Sequence, residues 1–448
     1  MNDKQKNRLV LIFCLLDVLI ISIGHVMNSS AIVMGGIFIF FSLLLISRGA
    51  KFLALMLFYL PWSPIMKFNA DGPTFYTIAF LLFFCCFLLT KELFERKAVL
   101  TLQNLLLVSI ITIYTMIVKL VSGYDISLSY VVFLVMLVLI PTYFYLYRSQ
   151  LSFGECIIFF SAGIMSASFS AKILMSYPHM LRYIEVSSWE AGGLTRLSGF
   201  YGDANYYAAH ILTAICGLLI LVFNKRYYER VLLFFFVITL VYLGFLSVSK
   251  MFLLLLGATA GVWLFFVFSQ KGRALTKISV LLAFAVALVF ISKSPFFEKL
   301  IQMYRVRFQV VSDISSFTTG RSDILQDYIS YFTHHPIALL FGQGMTQVYT
   351  GGIMYAAHNT FVQIIYQLGI AGSIILALWM IQLLSSAGKP KIPHLSGGSR
   401  IGIILLAISC FGSWFALDIL FADEFFLIPL LFLVGKDYVE KSAEQREL

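Results

Sequence analysis

Runs of roughly 16–25 apolar residues recur about fourteen times along this chain, each long enough to cross ~30 Å of hydrocarbon. Within lipid every backbone N–H and C=O needs an internal partner, so such a chain folds as a bundle of membrane helices. The runs cover 9–26, 31–47, 52–66, 74–90, 99–121, 127–147, 152–176, 205–223, 231–247, 251–269, 276–292, 359–385, 401–417 and 420–435. The third and the last are short enough to be re-entrant. An all-α polytopic membrane protein with about 12–14 transmembrane helices is expected. Composition agrees: 60% of residues are hydrophobic and 12% charged, against about a quarter charged in soluble domains. No repeat, low-complexity tract or soluble domain interrupts the pattern.

The cations sort by loop. Lys4, Lys6 and Arg8, Arg48 and Lys51, Lys91, Arg96 and Lys97, Arg148, Lys225, Arg226 and Arg230 fall in alternate connections. Lys271, Arg273 and Lys277, Lys389, Lys391 and Arg400, and Lys436, Lys441 and Arg446 continue the series. By the positive-inside rule this face is cytoplasmic and both termini lie on it. The net charge of +10 therefore reports topology rather than nucleic-acid binding. The run from Leu9 to Val26 reads as an uncleaved first span, because no small-residue cleavage site follows it. All six cysteines lie in or beside apolar runs and none forms C-x-x-C, so neither a disulfide framework nor a thiolate metal site is indicated.

Two loops on the opposite face break the charge rule, 177–204 and 293–357. The longer holds Lys293, Lys299, Arg305, Arg307 and Arg321, with His334 and His335. So many cations on the translocated face imply an anionic ligand there. Phe297, Leu300, Ile301, Tyr304, Phe308 and Val311 form one helical stripe with Arg305 and Arg307 on its flanks, as in a helix lying in the interface. A second helix is expected from Ser322 or Asp323, ending before Pro336.

Three clusters face this side. In the first, Arg196 precedes Gly199, Gly202, Asp203 and Asn205, and Asp203 or Asn205 can cap the following span. Arg196 then stands at a helix N-terminus that favours an anion, or binds a backbone carbonyl structurally. In the second, Gly320 and Arg321 precede a helix start, and paired guanidinium forks suit a pyrophosphate. The third is Gly342-Gln343-Gly344 followed by His358-Asn359-Thr360. His358 stands at a span's first turn, where the positive helix end disfavours imidazolium and leaves the ring free to accept a proton. Asn359 or Thr360 can cap that span. His334 and His335, before Pro336, read as a helix stop. Asp418, Asp423 and Glu424 could bind sugar hydroxyls or be merely solvated, and the solvated reading is favoured.

There is no Walker A loop, no H-E-x-x-H and no Asp-x-Asp pair. Arg196-x-x-Gly199 leading to Asn205, Ser249-Lys250, Gly320-Arg321, Gly342-x-Gly344 and His358-Asn359-x-x-x-Gln363 with Leu368-Gly369-Ile370-x-Gly372 resemble the O-antigen ligase and Wzy-type polymerase family. The likeness covers about residues 190–375, with two departures. Ala204 stands where the family often has Pro, and Lys250 where it commonly has Arg, which removes the bidentate fork.

The resemblance implies a GT-C-like, metal-independent membrane glycosyltransferase of the bacterial cytoplasmic (inner) membrane, its site facing the periplasm or exterior. It needs no cofactor. Its donor would be an undecaprenyl-pyrophosphate-linked oligosaccharide, with membrane lipids and a chain-length regulator as further partners and no nucleic acid. His358 would be the proton acceptor; Arg196, Arg321, Asn205, Asn359, Lys250 and Arg305 would bind substrate. Residues 1–176 and 386–448 would be N- and C-terminal transmembrane regions flanking a catalytic core, 177–385. Within the family a polymerase is favoured over a ligase, polymerases being the more numerous and diverse members. A flippase is the rival of another class; it would be expected to line several spans with charge, and only Asp17, Lys119 and Lys172 suggest such a path.

Overall fold

The computed structural model describes residues 3–47, 49–67, 74–88, 102–123, 128–183, 196–222, 227–269, 295–309, 320–345, 355–385 and 397–447, with isolated positions between them. Among the described residues all regular structure is helical. Seven helices among the described residues are long and apolar enough to cross a membrane, and three shorter apolar ones accompany them. The expected run at 276–292, the interdomain connection at 386–396 and the Arg307 side chain lie outside the described residues.

The first helices are α1 (Asp3–Val26), α2 (Ser30–Ile46) and α3 (Phe52–Tyr59). The short third run is not one α-helix: α3 passes into a 3-10 turn at Leu60–Ile65 containing Pro61 and Pro64, and α3 is buried along its whole length. Proline at these positions removes the N–H groups that would continue an α-helix. α4 (Phe75–Leu88), α5 (Leu102–Ser122), α6 (Leu128–Tyr147) and α7 (Phe153–Leu174) follow. α3 crosses α7 at Gly163, where a methyl would stand 2.1 Å from the Phe58 carbonyl oxygen.

α8 (Ala204–Val222) is the axis of the bundle, with 89% of its apolar window buried. It is enclosed by α7, α9 (Tyr227–Leu246), α10 (Lys250–Ser269) and α15 (Gly397–Phe411). Among the described residues α10 is followed by α11 (Pro295–Gln309), α12 (Arg321–His334) and the short α13 (Pro336–Phe341). Then come α14 (Thr360–Ser385), which is broken at Gly369, and, after α15, the last helix α16 (Glu424–Glu447). α12 starts at Arg321, one residue before the expected start, and ends before Pro336 as the sequence implies.

Polar contacts separate the two ends of the bundle. At one, Arg148 forks onto Asp437 at 2.6 and 2.9 Å, and Asn7 donates to Glu155 at 2.9 Å beside Lys51. At the other, His25 donates to the Ile65 carbonyl at 3.0 Å and Tyr201 to the Leu60 carbonyl at 2.8 Å. Asp17, 1% exposed within α1, accepts the Tyr59 hydroxyl at 2.6 Å and so is a hydrogen-bonded core carboxylate.

Candidate functional site

The second end gathers the starts of α8, α10, α12 and α14 around the segment between α15 and α16. That segment is stitched to the first turn of α14. Thr360 donates its hydroxyl to the Leu417 carbonyl at 2.5 Å, and the Leu420 N–H donates to the Gln363 side chain at 3.2 Å. Asn359 is the helix cap, its Oδ1 accepting the N–H groups of Phe361 and Val362 at 3.0 and 3.2 Å. Asp418 takes the two amides ahead of that cap, accepting the N–H of His358 at 2.7 Å and of Asn359 at 3.1 Å.

His358 is held in the left-handed region, φ 47, a conformation that costs a side-chain-bearing residue about 1–2 kcal/mol. The Asp418 carboxylate binds the concave pair of amides this backbone creates. The His358 side chain is 41% exposed, with Nδ1 3.8 Å from Asp418 Oδ2. The ring is thus open to a ligand, and the charge nearest it is negative. Helix-end electrostatics alone do not describe the site, because Asp418 has already claimed the free amides.

Arg321 opens α12 directly after Gly320, whose φ is 81, and the Thr318 hydroxyl accepts the Ser322 N–H at 3.1 Å. Burial pushes the Arg321 pKa down, while the carboxylates of Asp203 and Asp418 push it up. A guanidinium stays charged through such shifts. Burial raises the Asp418 pKa, opposed by the amide and charge of His358, the Asn359 amide and Arg321.

A second group surrounds the turn between α9 and α10. Arg196, buried, donates Nε to the Ser247 carbonyl at 2.9 Å, and the Leu197 N–H donates to the Leu246 carbonyl at 3.0 Å. The carbonyl-binding role open to Arg196 is therefore present. Ser249 donates its hydroxyl to Asn205 Oδ1 at 2.7 Å, and Asn205 donates its N–H and Nδ2 to Asp203 Oδ1 at 2.7 and 2.8 Å. Asp203 so caps α8, as expected, and also faces Arg321, joining the two groups. Lys250 is buried with Nζ 5.5 Å from the centre of the Phe308 ring. Arg305 is exposed on α11, which rests Met303 and Tyr304 on Val248.

Asp418, Asp423 and Glu424 are not solvated, which corrects the sequence reading. Asp418 is 13% exposed, Asp423 accepts the Thr77 hydroxyl at 2.9 Å, and Glu424 lies 3.3 Å from His210 in the core. Each has a partner at least 59 residues away in sequence, so no local pattern marks them. His334 and His335 donate to the Ser330 and Tyr331 carbonyls at 2.8 and 3.0 Å, in keeping with a helix stop.

Residues 234–377 match the family model described as O-Antigen ligase, a stretch that includes the 247–250 turn, α11, α12 and His358. The match supports a role in surface-polysaccharide biosynthesis and implies a glycosyltransferase-like enzyme within a multi-pass membrane protein. No curated protein matches the chain.

Proposed function

We propose, taking the O-antigen ligase domain at residues 234–377 as premise, that this chain is a polysaccharide polymerase. It would join undecaprenyl-pyrophosphate-linked oligosaccharide repeat units at the external face of the cytoplasmic membrane. His358 takes the proton from an acceptor sugar hydroxyl as that oxygen attacks the anomeric carbon of the donor. The bond between that carbon and the pyrophosphate oxygen breaks, and undecaprenyl pyrophosphate leaves with the electron pair. Pyrophosphate is already a good leaving group, so neutralising its charge lowers the barrier and no metal is called on.

The observation that carries this reading is the pairing of an open imidazole with a buried carboxylate beside an arginine. Asp418 orients His358 and stabilises the imidazolium that forms when the ring takes a proton. Arg321, facing the same carboxylate, is the donor-binding cation closest to this chemistry. Arg196 is the second cation, its Nε committed to a carbonyl. Asn205, Asn359, Lys250 and Arg305 shape and charge the rim.

A ligase is the second reading, favoured by the family description itself. It would use the same site with a different final acceptor. The flippase reading is disfavoured by Asp17, which is bonded to Tyr59 in the core rather than lining a path.

The test is purified protein supplied with lipid-linked repeat units alone. Polymer and free undecaprenyl pyrophosphate are expected. Product formed only when lipid A-core is added would assign the ligase, and no bond formation with either acceptor would sink both.

A further inference from the structure

α14 is two helices end to end. Gly369 has φ 67 and ψ −180, which interrupts the hydrogen-bond ladder nine residues, or roughly 13 Å, along the helix. A break strands the carbonyls before it, and at membrane depth each needs a protein partner. The Gln343 N–H donates to the Tyr366 carbonyl at 2.9 Å and the Gly344 N–H to the Gln367 carbonyl at 3.0 Å. The Tyr114 hydroxyl, from α5, donates to the Leu368 carbonyl at 2.7 Å and lies equally close to the Phe341 carbonyl, also at 2.7 Å.

Two backbones touch at this joint. A methyl on Gly342 would lie 2.5 Å from the Gln367 carbonyl oxygen, and one on Gly369 2.4 Å from the Leu340 carbonyl oxygen. Both glycines have positive φ, 74 and 67. Neither position admits a side chain, so the contact is built into the sequence.

The two segments that meet here are the two arms of the proposed site. One starts at Arg321, runs through α12 and α13, and ends at Phe341. The other starts beside His358 and ends at Leu368. The outer end of α14 is tied to the segment between α15 and α16, Tyr328 and Tyr331 of α12 pack on Tyr366 of α14, and the joint is where both arms also meet α5. The inner half of α14 is anchored separately, Trp379 donating to the Leu137 carbonyl at 2.9 Å.

Resting on the proton-acceptor reading above, we propose that Tyr114 is a positioning residue whose hydroxyl, by bridging the carbonyls of Phe341 and Leu368, fixes the spacing of Arg321 and His358. It touches no substrate and acts through the two backbones.

Tyr114→Phe keeps the ring and removes the bridge. A small misplacement of reacting groups costs up to about a hundredfold in rate, so Y114F is expected to lower kcat about ten- to a hundredfold, with donor KM within about twofold. Hydrogen exchange should speed up at least about tenfold over 341–345 and 362–369 in the same protein. Gly344→Ala keeps the hydroxyl but strains the amide bonded to Gln367, and should show the same two changes; it carries the test if Y114F does not fold. Unchanged exchange in the folded variant overturns the proposal. So does faster exchange with unchanged kcat, which is what a merely structural joint would give. His358→Gln is run beside them: if it turns over like wild type the proton-acceptor reading fails, whatever the exchange of Y114F shows.

Discussion

Asp418 accepts the backbone N–H of His358 at 2.7 Å and lies 3.8 Å from its ring, so one carboxylate sets both the strained backbone and the electrostatics of the exposed imidazole. Carboxylate and histidine come from different segments, 60 residues apart in sequence. Asp418 is therefore expected to matter to turnover more than to donor binding. Asp418→Asn keeps an acceptor for one amide and loses the charge. It should cost about 10–100-fold in kcat, the range for a partner that orients a reacting group, with donor KM little changed. Steady-state kinetics on purified protein checks this; a purely KM effect would reject the assignment.

His358 gives the sharpest expectation for the chemistry. His358→Ala and His358→Gln should each lose about two to four orders of magnitude in rate, the scale of a general base. Glutamine still hydrogen-bonds but has no nitrogen that takes up the proton. The ring is 41% exposed and packs little, so both variants should keep wild-type thermal stability. Near-wild-type turnover by the Gln variant would remove His358 from the mechanism.

Much of this was legible in the sequence. Apolar runs give helices because lipid leaves the backbone no other solution, and the caps at Asp203 and Asn359 follow from short polar side chains at helix starts. The break at Gly369 was not legible, since a glycine inside an apolar run is ordinary in membrane helices. Only its contact with Gly342 makes it a joint. The burial of Asp418 is not legible either, since acidic residues between two spans carry no local sign of it. What it binds comes from the next segment of the bundle.

The two arginines should separate in their effects. Arg321 is half-buried and faces carboxylates of two segments, whereas Arg196 holds the Ser247 carbonyl through Nε. Arg321→Ala should abolish detectable donor binding and leave the fold intact, with Arg321→Lys keeping partial activity because charge remains without the fork. Arg196→Ala should lower both activity and stability, the latter by about 1–3 kcal/mol for a carbonyl left unpaired. Isothermal binding of the lipid-linked donor beside thermal unfolding resolves the two; equal stability losses would contradict the separation.

His210 and Glu424 form a core pair, 3.3 Å apart with side chains 3% and 9% exposed. The pair ties the first residue of α16 to α8 and so holds the segment bearing Asp418 against the bundle. Glu424→Ala leaves the buried His210 ring without its polar neighbour, and should destabilise by about 1–3 kcal/mol. Glu424→Gln keeps a hydrogen-bonding side chain and should cost less. Thermal unfolding of both variants in detergent is the measurement, and wild-type stability in both would show that the pair contributes nothing.

Topology closes the argument, because the scheme places the site on the translocated face. Gln150 is exposed beside the end where Arg148 meets Asp437, and Asp323 is exposed two residues beyond Arg321 at the other end. The cation-rich loops at the Arg148 end stay inside by the positive-inside rule. Single cysteines are introduced as Gln150→Cys and Asp323→Cys in a background with the native cysteines replaced. A membrane-impermeant thiol reagent added to intact cells should then label the second and spare the first until the membrane is opened. Labelling of Gln150→Cys alone would put Arg321 and His358 on the cytoplasmic side, where the proposed external joining of repeat units has no place, and labelling of both would overturn the placement of the Arg148 end inside.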